Sequence, residues 1–206
     1  MTLNREDYLL VIWEYLEAFG KVSEKDLANR LRISPPTAHE YLEKLSQDGL
    51  IVKSRGDLSF TKKGQINAAE LVRMHRISEV FAFKFLEVPW EDTHMAVMEL
   101  EHIFKGERAE KLYKNLGQPS TCPHGNPTEP RFKLREIPLS ISDPGNYRIL
   151  RITYEDGNLL KIMAEQEMYP GTQVSMIKEQ DAIILENGHG SIKIPYEIAM
   201  SVRLEK

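Results

Sequence analysis

Apolar positions recur at two different spacings along this chain, and the change from one to the other divides it. As far as Gly117 they return every three or four residues, and from Tyr147 onward they alternate or run between turn signals. The first helical face carries Tyr8, Leu9, Val11, Ile12, Trp13, Tyr15 and Leu16. Asn4 can cap it, with Asp7 three residues on, and Gly20 ends it. Ser23 then caps EKDLANRL, whose Leu27, Ala28 and Leu31 face inward. A third helix opens with Ser34 as cap and Pro35 at its first position, where a missing N–H costs nothing, and runs to a Gly49 stop. Two short helices joined by a tight turn make a helix-turn-helix. LIVKSRGDLSFT follows, apolar on both sides of Arg55, Gly56 and Asp57, and predicts a two-stranded wing.

Beyond Thr61 a long helical pattern carries Ile66, Ala69, Leu71, Val72, Ile77, Val80, Phe81 and Phe85 until Pro89 breaks it. Thr93 is placed to cap the next helix, from His94 to Phe104 before Gly106, and ERAEKLYKNL forms another before Gly117. Helices this rich in Phe, Met and Leu behind a winged helix predict a dimer interface. Gln118 to Pro144 is rich in Pro, Ser, Gly and Asn and reads as a linker, in which Cys122 and His124 have a turn role. From Tyr147 the chain reads as strands, YRILRITY, LLKIMAEQEMYPGTQVSMIKE and DAIILENGHGSIKIPYEIAMSVRLE, punctuated at Asp156-Gly157, Pro170-Gly171 and Asn187-Gly188. The predicted class is α+β: a winged helix-turn-helix over 1–63, an all-helical domain over 64–118, a linker over 119–145 and a small SH3-like β-barrel over 146–206. That barrel shows no aromatic groove of the kind proline-rich ligands need.

Composition narrows the function. With 41% hydrophobic and 28% charged residues in 206, the chain is of the soluble globular kind. It has no apolar run near the ~20 residues of a membrane span and no signal-peptide core at its start, so no membrane partner and a cytoplasmic location are expected. The single Cys122 excludes an intrachain disulfide framework and a multi-cysteine zinc site. A net charge of −4 means that any nucleic-acid contact must come from a local patch. The third helix supplies one: Ser34, Pro36, Thr37 and His39 at its front, with Lys53 and Arg55 on the wing and Lys62 or Lys63 behind for phosphates. Short hydroxyls and proline suit close approach to thymine methyls more than bidentate base reading. Glu40 on the same helix is an acid that phosphates would repel.

The other chemistry lies between Met74 and Phe104, where three of the six histidines fall. His75 and Glu79 are four apart, and His94, Met98, Glu101 and His102 follow at helical spacing, so each group shares a face. His94 and His102 would stand about 12 Å apart along a helix, whereas first-row metals hold their ligands at about 2.0 to 2.3 Å. One ion is not expected to take both. Met98, Glu101 and His102 therefore suit one ion, and His75, Glu79 and His94 another.

RISPPTAHEYLEKLSQDGLI, MHRISE, HMAVMELEH and the CPHGNP turn together resemble the diphtheria toxin repressor family of iron- and manganese-dependent transcriptional regulators, over nearly the whole chain. The resemblance implies the iron-regulator branch with an SH3-like (FeoA-like) C-terminal domain. By it, Asp7 completes the primary activating site with Met98, Glu101 and His102, while His75, Glu79 and His94 form an ancillary site. Asp7 also has a plainer role, as an acid favourable to the dipole of the first helical turn. Members of the iron branch carry methionine where this chain has Asp7 and cysteine where it has Met98, and the manganese branch carries carboxylates at both. A thioether favours Fe²⁺, with Mn²⁺ the alternative. The family's C-terminal domain also donates ancillary ligands, for which Glu155 is the candidate here. The function so implied is an iron-activated repressor of metal-uptake genes, a homodimer on palindromic operator DNA with two ions per subunit. A manganese-responsive regulator is the alternative within the family. Outside it stand a mononuclear metalloenzyme using His75, Glu79 and His94, and a metal-independent repressor whose barrel senses a peptide or small molecule.

Overall fold

Capping chemistry sets the first three helices of the computed structural model, which describes residues 4–54, 56–98, 103–104, 106–130 and 135–205. Asn4 and Asp7 form a reciprocal capping box at the start of α1 (Arg5–Phe19), and Gly20 ends it in the left-handed region at φ 72°. Ser23 and Asp26 do the same for α2 (Glu24–Leu31). Ser34 caps α3 (Pro35–Gln47), which opens on its two prolines. The wing is a hairpin of β1 (Ile51–Ser54) and β2 (Asp57–Phe60), with Val52 opposite Ser59. Leu9, Ile12, Trp13, Leu27, Leu42, Leu45, Leu50 and Leu58 are buried among these elements, and Tyr8 stacks on Tyr41 at 4.5 Å between ring centres. Gly64 lies so close to the Leu50 carbonyl that any Cβ there would collide with it, so the first turn of the next helix can approach the wing only as glycine.

That helix, α4 (Lys62–Phe85), is the longest, and the chain divides within it into two compact units, Met1–Arg73 and Met74–Lys206. It ends before Pro89, where Glu87 takes φ 54° and the Val88 N–H donates to the Ala82 carbonyl. A 3₁₀ turn over Trp90–Asp92 leads into α5 (Thr93–Val97). Thr93, expected as cap, is instead the first helical residue, and its hydroxyl donates to the Trp90 carbonyl at 2.9 Å. α6 covers Glu107–Asn115. β3 (Ile137–Pro138), β4 (Gly145–Ile152), β5 (Gln173–Lys178), β6 (Ala182–Asn187), β7 (Gly190–Pro195) and β8 (Val202–Glu205) form one antiparallel sheet in the order β3-β8-β4-β5-β6-β7. It is the SH3-like element, and Ile149, Ile152, Val174, Met176, Ile183, Leu185, Ile194, Val202 and Leu204 form its core.

One stretch read as strand is a helix. LLKIMAE belongs to α7 (Gly157–Glu165), and Asp156, taken as half of a turn, caps it by accepting from the N–H groups of Asn158 and Leu159 at 3.1 Å. Leu159, Leu160 and Met163 bury one side of it in the sheet's core, a helical spacing rather than an alternating one. A four-residue helix, α8 (Tyr196–Ala199), also interrupts the last predicted strand run. No described helix is long and apolar enough to cross a membrane.

Candidate metal centre

Four separate segments of the second unit bring ionisable side chains to one buried point. α4 supplies His75 and Glu79 one turn apart, with His75 Nε2 3.4 Å from Glu79 Oε1. α5 supplies His94, whose Nδ1 lies 3.0 Å from His75 Nε2. Glu155, just after β4, places Oε2 2.7 Å from His94 Nδ1. The CPHGN turn adds His124, whose Nδ1 is 3.2 Å from Glu79 Oε1 and 3.3 Å from Glu155 Oε1. Cys122 of the same turn is buried beside them. Two overlapping foursomes result, His75–Glu79–His94–Glu155 and Glu79–Cys122–His124–Glu155, each with its ligand-type atoms within 4.8 Å of one another.

The turn is pinned from several sides. The Trp90 indole donates to the Pro123 carbonyl at 2.9 Å, Arg76 donates to that of Pro127 at 2.9 Å, and the Ile152 N–H donates to that of His124 at 2.9 Å. Gly125, at φ 82°, sits so near the Leu150 carbonyl that a side chain would not fit. His124 Nε2 meets the Trp90 carbonyl at 3.0 Å and must donate to it, which leaves Nδ1 facing the carboxylates. An imidazole held through its far nitrogen by a carbonyl is the outer arrangement of metal-binding histidines.

The buried charges of this pocket shift one another. Burial alone would lower the His124 imidazole, but Glu155 and Glu79 outweigh it and hold His124 well above its ordinary value. Burial would raise Glu155, yet His124 and His94 keep it well below the usual carboxylate range. For Glu79, burial and Glu155 push upward, and His124 and His75 prevail to lower it. Cys122 is pushed up to about 12 by burial and then by Glu79. Glu79 Oε2 accepts no hydrogen bond from any described side chain. Two buried anions, a carboxylate oxygen left over, imidazoles and a thiol make a donor set that fits a divalent transition metal, which would displace the protons of His124 and Cys122.

The remaining predicted residues stand as follows. His75, Glu79 and His94 meet, and Glu155 joins them. Met98 follows α5 and is buried, whereas Glu101 and His102 lie outside the described residues. Asp7 is buried and accepts from the Asn4 N–H at 2.6 Å as part of its capping box. At the front of α3, Ser34 and Pro36 are exposed and Thr37 partly so, with the Ser34 and Thr37 hydroxyls 2.8 Å apart. His39 Nδ1 is 3.2 Å from Glu24, and Lys53 Nζ is 2.7 Å from Glu43 and 3.8 Å from Glu24. Glu40 pairs with Lys44 at 2.8 Å rather than standing alone. Arg55 lies outside the described residues. The sequence reading gave Cys122 and His124 only their turn role. The turn is there, the Cys122 N–H donating to Asn126 at 2.8 Å, and its side chains also face Glu79 and Glu155.

Known proteins resemble this chain in sequence and fold. The family model for the "Iron dependent repressor, N-terminal DNA binding domain" matches residues 1–56, and that for the "Iron dependent repressor, metal binding and dimerisation domain" matches residues 61–130. The chain is 26% identical to the iron-dependent repressor IdeR of Mycobacterium leprae, over 98% of this chain and 96% of that one. Among solved structures, T. acidophilum IdeR aligns with a TM-score of 0.87 at 25% identity, covering 99% of this chain and 98% of that one. The manganese regulator SloR aligns at 0.86 and 29% identity over 100% of both. With two models of one family matching more than half of its length, and with the fold those relatives share, this chain belongs to the iron-dependent repressor family of metal-dependent, DNA-binding transcriptional regulators, which are not enzymes.

Proposed function

We propose that this chain is a metal-activated repressor of metal-uptake genes, with Fe²⁺ as its activating ion, acting in the cytoplasm as a homodimer on a palindromic operator. The buried cluster of His75, Glu79, His94, Cys122, His124 and Glu155 carries the reading, because so many ionisable groups out of water are stable together when a cation joins them. The thiol there and the thioether of Met98 favour Fe²⁺ over Mn²⁺, since soft sulfur suits the later metal. Family members with manganese in their descriptions keep Mn²⁺ as the alternative.

Residues 1–63 are the DNA-binding part, 64–118 the dimerising part and 146–206 the SH3-like part, joined through 119–145, which also lends β3 to the SH3-like sheet. Ser34, Pro36, Thr37 and His39 approach base edges, and Lys53 and Arg55 approach phosphates. Two ions bind each subunit. Asp7, Met98, Glu101 and His102 are the activating ligands by the family resemblance, and His75, Glu79 and His94 hold the second ion with Glu155, Cys122 and His124 from the same cluster. A ligand moves an equilibrium only by its differential affinity for the two states. A ligand set drawn from both the DNA-binding and the dimerising parts is what makes the metal a switch.

A gel-shift titration on the chain's own upstream DNA, with Fe²⁺, Mn²⁺ and chelator, tests the reading. Affinity should rise with metal and collapse with chelator, more steeply for Fe²⁺. Binding indifferent to metal would overturn it. Asp7→Ala should flatten the metal response, and a response as steep as the unaltered protein's would remove Asp7 from the switch.

A further inference from the structure

A second buried polar chain adjoins the cluster and takes no part in ligand binding as proposed above. Asn126, two residues past His124, is almost fully buried. Its Nδ2 donates to the Ile152 carbonyl at 2.7 Å and to Glu155 Oε1 at 2.8 Å. Its Oδ1 accepts from Arg151 Nη1 at 3.2 Å. Arg151, also buried, is gripped by Glu136 through two parallel bonds, Nε to Oε2 and Nη2 to Oε1, both 2.7 Å. A guanidinium only donates and an ionised carboxylate only accepts, so the amide has one possible orientation between them. It cannot flip.

The two oxygens of Glu155 face different histidines. Oε2 is 2.7 Å from His94, and Oε1 is 3.3 Å from His124. The last torsion of a glutamate is broad and nearly two-fold, so nothing intrinsic to Glu155 keeps the oxygens in those places. Asn126 grips the one facing His124.

We propose that Asn126 is a positioning residue of the metal centre. Anchored by the Arg151–Glu136 pair, it turns Glu155 Oε1 toward the Cys122–His124 side and so favours the foursome containing the thiolate over the one containing His75 and His94. Loss of an outer partner of this kind typically costs ~10–100-fold in metal affinity. Here it should also change which ligands the metal takes.

The inference rests on the cluster being a metal centre, and one experiment separates the two. The full chain is titrated with Co²⁺, whose near-ultraviolet charge-transfer band reports thiolate ligation, and Cys122 is the only cysteine. The unaltered protein should show the band. Asn126→Ala should bind Co²⁺ ~10–100-fold more weakly and give less band per bound ion. Asn126→Asp keeps an acceptor toward Arg151 while losing the donor toward Glu155. Should the alanine variant fail to fold, the aspartate variant must show an altered band per bound ion. A folded variant with unaltered affinity and band overturns the role of Asn126. An unaltered protein that gives no thiolate band with Co²⁺ overturns the participation of Cys122 and this inference with it.

Discussion

The front of α3 and the buried cluster use the same kinds of side chain at the same distances, in opposite surroundings. On the surface, His39 and Lys53 meet Glu24 and Glu43 at 2.7 to 4.0 Å. In the cluster, His94 and His124 meet Glu79 and Glu155 at 2.7 to 3.9 Å. Water can replace either partner of an exposed pair, so such pairs contribute little to stability and open easily. Lys53 can leave Glu43 for a phosphate at small cost. Buried carboxylates have no such freedom, and each must keep a cation or a proton. One region is suited to exchanging partners with a polyanion, and the other to exchanging protons for a metal.

The largest expected effect comes from Glu79, which with Glu155 is common to both foursomes. Glu79→Gln should weaken the cluster's metal affinity by more than the ~100-fold typical of losing an outer partner, read by isothermal titration. An unchanged isotherm would place the metal elsewhere. Next comes the buried support: Arg151→Met leaves Glu136 without its two-pronged partner and should cost about 3 kcal/mol in urea unfolding of the metal-free protein, near the low end for a broken buried pair because Arg203 stands 3.5 Å from Glu136. A loss no greater than a surface pair gives would erase the contrast drawn above.

The pH response should be smaller and has a definite sign. His124 is held well above its ordinary value and Cys122 is pushed up to about 12, so near neutral pH both carry protons in the metal-free protein. Metal must displace them, and affinity should therefore rise with pH while binding releases protons into a weakly buffered solution. Proton-neutral binding would remove both groups from the ligand set. Smallest in stability is Lys53→Ala, which should leave the urea midpoint nearly unchanged, weaken DNA binding similarly for all sequences and reduce the salt slope by about 1.

The same contrast explains what the sequence made legible. Asn4 with Asp7, Ser23 with Asp26, and Ser34 with Pro35 are local signals, so the winged helix and the front of α3 could be read within a few residues of one another. His75 and Glu79 were legible for the same reason, being one helical turn apart. Glu155 was within reach only through family resemblance, because 76 positions separate it from Glu79 and only the folded sheet closes that gap. Cys122 and His124 sit in a segment whose Pro and Gly spell a turn, and nothing in a turn's local pattern says which way its side chains face. α7 was misread because turn signals bracket it, although Leu159, Leu160 and Met163 carried the helical spacing that would have identified it.

Anomalous diffraction from crystals grown with Mn²⁺ or Fe²⁺, collected on either side of the metal's absorption edge, tests the metal centre most directly. The account predicts a peak inside the second unit, within about 2.0 to 2.3 Å of ligand atoms from Glu79 and Glu155 together with His94 or His124. Peaks confined to other parts of the molecule, with Glu79 and Glu155 still paired to their histidines, would contradict it.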